Sequence, residues 1–226
     1  MKLSGRVAIV TGGGRGIGRA IAVGLAAEGA AITVSGTARA PLEATAAGIV
    51  ANGGRALALI ADVSDEAAVA RMVADTVERF GRLDILVNNA GIAGPTAPAT
   101  EAPTDEWERT LAINLTGAFL CAKHAIPHLV AAGGGRIINI TSVAGKIGYA
   151  LRSAYAASKW GMIGLTRSLA LEVGPQDITV NAIAPGSTRG ARLTRVIRDR
   201  AAALGRPADE VEQELFLGQN ALRRLV

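Results

Sequence analysis

A short apolar run, Val7-Ala-Ile-Val10, leads at once into Thr11-Gly-Gly-Gly-Arg-Gly-Ile-Gly18. An alanine-rich stretch from Arg19 to Glu28 follows and ends at Gly29. No other feature limits the possible folds as strongly. Consecutive apolar residues suit a strand buried on both faces, as in a parallel sheet. The glycines let the backbone approach a bound group closely, and the helix behind them offers unpaired N–H groups and a dipole to an anion. Strand, glycine-rich turn and helix in this order predict a dinucleotide pyrophosphate site. The spacing of Gly12, Gly16 and Gly18 is G-x-x-x-G-x-G, which differs from the commoner G-x-G-x-x-G.

The same alternation continues along the chain. Ala31–Ser35 reads as a second strand. An acidic residue at its end would accept from the adenosine ribose 2′-OH of NAD. Gly36-Thr-Ala-Arg39 stands there instead, with Thr37, Arg39 and Arg15 in reach of a 2′-phosphate. NADP(H) is therefore favoured, with NAD(H) possible, the alternative being that these are plain turn residues. A helix is expected over Pro41–Ala51 and a third strand over Ala56–Ala61, leading to Asp62-Val63. Asp62 is placed either to accept from an adenine amino group or to cap the next helix, Asp65–Phe80. A fourth strand, Leu83–Val87, ends in Asn88-Asn89-Ala90-Gly91, whose small residues admit a close backbone approach.

The segment Glu101–Ala132 reads as mostly helical, with Thr104 as N-cap and Trp107 in the core. Asn114 lies within it and needs side-chain partners there. His124 and His128 have an i, i+4 spacing that can bind zinc, but Pro127 lies between them and no third ligand is near, so no metal is expected. A fifth strand, Arg136–Thr141, delivers Ser142 to its carboxyl end, where ligand groups gather in open parallel sheets. The next helix runs to about Val173 and holds Tyr155 and Lys159, four apart and so on one face. A fixed ammonium beside a phenol stabilises the phenolate and suits it to acid–base chemistry at a carbonyl or alcohol. A sixth strand, Ile178–Ala184, precedes Pro185-Gly-Ser-Thr188. Two polar helices are expected from Ala191 to Leu225, split near Gly205-Arg-Pro207.

Composition narrows the class. A chain of 226 residues, half of them hydrophobic and only 3% aromatic, suits one α/β domain packed by Ala, Val, Ile and Gly. The single Cys121 excludes an intramolecular disulfide, the first residues contain no secretory segment, and no apolar run approaches the ~18 residues of a membrane span. A cytoplasmic protein without membrane partners is expected. The net charge of +5 is dispersed. Its densest group, Arg189, Arg192, Arg195, Arg198 and Arg200, reads as a solvated helix face rather than a nucleic-acid surface, since no stacking aromatics accompany it.

Thr11–Gly18, Asp62-Val63, Asn88–Gly91, Asn114, Ser142, Tyr155-x-x-x-Lys159 and Pro185-Gly186, in this order, resemble the short-chain dehydrogenase/reductase family in its compact single-domain form. The resemblance covers essentially the whole chain. It implies a Rossmann fold, a doubly wound parallel α/β sheet with helices on both faces, formed by residues 1–226, with 187–220 as a lid over the substrate. It implies Tyr155 as the catalytic acid–base, Lys159 as its activating cation and ribose ligand, Ser142 as the holder of the substrate oxygen, and Asn114 as the anchor of a water relay. Gly12, Arg15, Ile17 and Gly18 would line the phosphates, and Asp62 and Val63 the adenine. Asn89, Ala90 and Gly91 would line the adenosine ribose side, and Pro185, Gly186 and Thr188 the nicotinamide.

Gly36-Thr37 is similar to the strand ending of NADPH-using 3-oxoacyl-thioester reductases of the family. Those that accept acyl carrier protein present basic residues where this chain has Ala131, Ala132 and Leu171, so a carrier protein is not expected. The family continues past Leu225-Val226 with a helix, a seventh strand and a glycine-rich tail, so more residues are expected in the natural protein. The activity implied is NAD(P)-dependent hydride transfer between cofactor and a small-molecule carbonyl/secondary-alcohol pair, such as a 3-oxoacyl-type ketone. The alternatives are epimerisation or dehydration on a bound nucleotide, and nucleotide sensing without turnover. A homodimer or homotetramer is implied through the helices around 104–131 and 153–173, and the substrate pocket through loops 92–102, 143–152 and 187–220.

Overall fold

The apolar runs form strands, and the computed structural model describes them within residues 1–218 and residue 225. Six strands are described: β1 (Val7–Thr11), β2 (Ala31–Gly36), β3 (Arg55–Ile60), β4 (Ile85–Asn88), β5 (Gly135–Ile140) and β6 (Ile178–Ile183). They form one sheet in the order β3-β2-β1-β4-β5-β6, with every pairing parallel. The chain builds outward from β1 to β3, then crosses to β4 on the other side of β1. The carboxyl ends of β1 and β4 therefore flank the crevice where such sheets bind ligands.

Helices cover both faces: α1 (Gly16–Ala27), α2 (Arg39–Ala51), α3 (Glu66–Phe80), α4 (Thr104–Leu111), α5 (Gly117–Ala131) and α6 (Ser153–Val173). Alternation along each strand sorts the core into two layers. Ile9, Leu86 and Ile137 pack with Val69, Met72, Leu120, Leu129 and Leu169, from α3, α5 and α6. Ala8, Val10, Ile85 and Val87 pack with Ala22, Leu42 and Ile49, from α1 and α2. Burying β1 on both faces is what its unbroken apolar sequence requires.

Several boundaries differ from those expected. The segment read as one helix over 101–132 begins at Thr104 and is interrupted by a π-turn, Ala112–Thr116, that contains Asn114. Pro103 occupies the cap position and Thr104 is the first helical residue, while Trp107 is half-buried rather than in the core. Asp65, not Asp62, caps α3, accepting from the N–H groups of Ala67 and Ala68 at 2.9 and 3.1 Å. β5 stops at Ile140, and Ser142 caps a short 3-10 turn, Val143–Gly145.

After β6 come α7 (Ala191–Leu204) and α8 (Ala208–Glu212), separated at Gly205–Pro207 as expected; α8 runs into a π-turn, Gln213–Leu217. These helices are less polar than their sequence suggested. Val196, Ile197, Ala201, Val211 and Phe216 bury a satellite cluster together with Ala93. Residues 219–224, into which the second helix and the lid were expected to extend, and residue 226 lie outside the described residues. Among the described residues, no helix is long and apolar enough to cross a membrane.

Candidate active site

The ends of β1 and β4 are stapled together by side chains. Thr11 Oγ1 accepts from the backbone N–H groups of Asn89 and Ala90, each at 3.0 Å. Asn89 Nδ2 donates back to the carbonyls of Thr11 and Gly12 at 2.9 and 3.3 Å. Gly18 lies so near this staple that a β-carbon there would run into the Asn89 amide and the Gly12 carbonyl. α1 then starts after Arg15, which is extended and supplies no side-chain cap, and its first turn holds no acidic residue. Its first N–H groups and positive dipole end thus remain available to an anion. Arg15 is exposed and Ile17 half-buried beside them.

The other residues expected around a nucleotide follow the ends of β2 and β3. Thr37 and Arg39 are exposed past β2, and Arg39 pairs with Glu43 at 3.3 Å. Asp62 is exposed after β3, its Oδ1 accepting from the N–H and hydroxyl of Ser64 at 2.9 and 2.7 Å. Val63 is buried against Gly117 at the start of α5.

The second half of the site assembles around α6. Lys159 is 4% exposed, and its Nζ donates to the carbonyl of Ile140, the last residue of β5, at 2.9 Å. Burial, reinforced by the charge of Arg192, pushes its ammonium down to about 8. That Nζ stands 5.8 Å from the centroid of the Tyr155 ring. Thr141 Oγ1 donates to the Lys159 carbonyl at 3.2 Å, a second tie between the end of β5 and α6. Ser142, one residue further, accepts at Oγ from the N–H of Ala144 at 3.2 Å. Pro185 follows β6 closely and its carbonyl accepts from the N–H of Val143 at 3.1 Å, so the Pro185–Thr188 loop lies beside Ser142. Gly186 and Thr188 are joined within that loop, Thr188 Oγ1 donating to the Gly186 carbonyl at 3.3 Å.

Asn114 links the two halves. Its Oδ1 accepts from Ile92 N–H at 2.8 Å, and its Nδ2 donates to the Ile92 carbonyl at 3.0 Å and to Ser158 Oγ at 3.1 Å. Ser158 in turn donates to the Tyr155 carbonyl at 2.7 Å. A β-carbon on Gly91 would stand 3.0 Å from Asn114 Oδ1 and 3.8 Å from Lys159 Nζ. Residues drawn from the segment after β4, the π-turn and α6 thus meet at one point. His124, by contrast, is held by Glu66 at 3.1 Å on the far side of α5.

Two groups of residues escaped the sequence reading. Asn88 Nδ2 donates to Asn139 Oδ1 at 2.9 Å, and Asn139 Nδ2 donates to Thr166 Oγ1 at 2.9 Å, a buried polar line from β4 through β5 to α6. Its signal was an asparagine in the middle of an apolar strand. The second group is basic, and it corrects the solvated helix face expected of the late arginines. Arg192 Nη2 donates to the Gly91 carbonyl at 2.6 Å, and Arg200 is only 8% exposed. Arg152, which precedes α6, is 2% exposed and donates to Thr96 Oγ1 at 2.9 Å and to the Ala93 carbonyl at 2.7 Å. An open cavity of about 560 Å³ lies beside this group, between the 94–97 loop, Glu101, Glu106, Arg195 and Asp199. Ser142, Tyr155 and Lys159 do not line it.

The chain is similar to known proteins in sequence and in fold. A family model described as short chain dehydrogenase matches residues 6–201. Cis-4-hydroxycyclohexanecarboxylate dehydrogenase of Sinomonas cyclohexanicum is 41% identical over 225 residues, 96% of this chain and 90% of that protein. The structure of NAD+-bound xylitol dehydrogenase superposes with a TM-score of 0.96 at 37% identity, covering 100% of this chain and 88% of that one. A variant of actinorhodin polyketide ketoreductase with NADPH superposes with a TM-score of 0.92 at 32% identity, covering 100% and 86%. With a family model over residues 6–201 and a relative 41% identical over 96% of its length, the chain belongs to the short-chain dehydrogenase family.

Proposed function

We propose that this protein is a nicotinamide-dependent oxidoreductase that interconverts a ketone and a secondary alcohol, with Tyr155 as its acid–base. The observation that carries the reading is the fixed position of Lys159. Its ammonium is held by Ile140 within 5.8 Å of the Tyr155 ring, at the carboxyl ends of the strands. In the reductive direction the Ser142 hydroxyl holds the substrate oxygen, and the Tyr155 hydroxyl gives that oxygen its proton. Lys159 stabilises the phenolate left behind, and Asn114 anchors the water through which the proton is replaced. A bound nicotinamide supplies the hydride, or takes it up in the reverse direction. Gly12, Arg15, Ile17 and Gly18 hold its phosphates at the uncapped start of α1. Asp62, Val63, Asn89, Ala90 and Gly91 hold its adenosine half, and Tyr155, Lys159, Pro185, Gly186 and Thr188 its nicotinamide half.

NADP(H) is the favoured cofactor, because Gly36–Arg39 brings no carboxylate against a 2′-phosphate and Thr37 is exposed beside it. The relatives leave both cofactors in view, one named with NAD+ and one with NADPH. A hydroxycyclohexanecarboxylate dehydrogenase and a polyketide ketoreductase among them support a carbonyl/alcohol substrate. We take residues 1–226 as one cytoplasmic domain with 187–220 as substrate lid. It assembles as a homodimer or homotetramer through the helices around 104–131 and 153–173, which expose Phe119, Val130 and Leu171.

The test is a panel of ketones and secondary alcohols run with NADPH and NADH. The reading expects a stoichiometric change in reduced-nicotinamide absorbance, larger with NADPH. Product formed without net absorbance change would point to epimerisation or dehydration, and a strong NADH preference would overturn the cofactor assignment. Sedimentation of a lone protomer would refute the assembly.

A further inference from the structure

Arg152 and Arg200 come from separate elements, the entry to α6 and the last turns of α7, yet both are buried, at 2% and 8% exposed. They share one aromatic ring: their guanidinium carbons stand 6.0 and 4.9 Å from the centroid of Tyr149. Arg152 also stands 5.4 Å from the ring centroid of Tyr155. Among the described residues, neither arginine has a carboxylate within ion-pair distance. Arg152 is fixed by its bonds to Thr96 and Ala93, with Nε left buried and unpartnered. Arg200 has Nε and Nη1 buried without a hydrogen-bond partner. Two buried like charges with spare donors are costly, because each has given up water and neither has gained an anion. The guanidinium fork matches a carboxylate in geometry and charge.

We propose that Arg200, with Arg152, binds a carboxylate of the substrate, placed several atoms from the carbonyl that Tyr155 serves. The proposal rests on the oxidoreductase reading in one respect: the anion belongs to the molecule whose oxygen meets Tyr155. Charge favours a monoanion. Arg152 and Arg200 bring two positive charges, while Glu101 and Glu106 line the neighbouring cavity and disfavour a dianion. The substrate class is therefore an oxo acid or hydroxy acid whose carboxylate is remote from the reacting carbon.

The test compares 4-oxopentanoate, 5-oxohexanoate and 6-oxoheptanoate with their methyl esters, by ligand-observed NMR titration, on the wild-type chain and on Arg200→Gln and Arg200→Lys. Reduction of the same compounds with NADPH and NADH is followed separately. At least one acid is expected to bind roughly 10- to 100-fold more tightly than its ester, the range of a charge-assisted hydrogen bond. Arg200→Gln should erase that preference and leave ester binding unchanged, and Arg200→Lys should retain part of it. Equal binding of acid and ester to the wild type, or no binding of any acid, overturns the proposal, and this comparison decides the matter even if Arg200→Gln fails to fold. Selective acid binding with no reduction of any compound upholds the anion site and counts against the oxidoreductase reading. Reduction of acids and esters alike does the reverse.

Discussion

The ammonium of Lys159 donates to the carbonyl of Ile140 at 2.9 Å, so the cation beside Tyr155 is positioned by the last residue of a central strand. Ser142 follows two residues later on the same turn. That hydrogen bond fixes the cation of the proposed acid–base pair in a place where an ammonium is poorly solvated.

That burial has a consequence for stability. Burial and the charge of Arg192 lower the Lys159 ammonium from 10.5 to about 8 in the folded chain. Between those values the unfolded chain binds more protons, so stability rises with pH across that window. The stability difference between wild type and Lys159→Met, measured by urea unfolding, should move in favour of the wild type by up to ~3 kcal/mol from pH 7 to 10.5. A difference independent of pH would contradict this.

Gly91→Ala should disturb the junction of the two halves. The new β-carbon would stand 3.0 Å from Asn114 Oδ1, the atom that holds Ile92 N–H at 2.8 Å. We expect a stability loss of about 1–2 kcal/mol from overpacking, together with weaker nucleotide binding. Unchanged nucleotide affinity in a calorimetric titration would argue that Gly91 does not border the cofactor.

Asp84 offers a contrast at the opposite, amino end of the strands. It is 3% exposed. Burial alone would raise its carboxyl, but hydrogen bonds from Arg82, Arg6 and Val7 N–H outweigh burial and hold it below the usual carboxylate range. The stability it confers is complete above the unfolded carboxylate value and is lost as pH falls through the lower folded one. Asp84→Asn should cost about 2 kcal/mol at pH 7, less than a fully buried pair because both arginines are half-exposed, and the cost should shrink toward pH 2. Turnover should be unaffected. A cost that persists undiminished in acid would contradict the account.

The sheet was legible because Val7–Val10 and its counterparts are short apolar runs at regular spacing; β1, β2 and β4 are buried as such runs suggest, whereas β3 and β6, at the sheet edges, are partly exposed. The nearness of Lys159 to the Tyr155 ring was legible from their i, i+4 spacing on one helix, and the place of Ser142 from the strand before it. What Asn114 does was not, since its partners Ile92 and Ser158 lie 22 and 44 residues away. Arg200 was misread although its signal was present. It lies four residues after Val196 and three after Ile197, on the stripe that buries α7, and the surrounding arginines masked that periodicity. Arg152 gave no such sign, because the loop carbonyl that buries it is set by the fold alone.

The most direct test of the central claim is Tyr155→Phe, which removes one hydroxyl from a half-buried ring and leaves Lys159 on Ile140. Turnover of a ketone accepted by the wild type should fall by about 100- to 10,000-fold, with nucleotide affinity unchanged. A variant that keeps turnover within about tenfold of the wild type would lie outside the range of lost acid–base catalysis and would remove Tyr155 from that role.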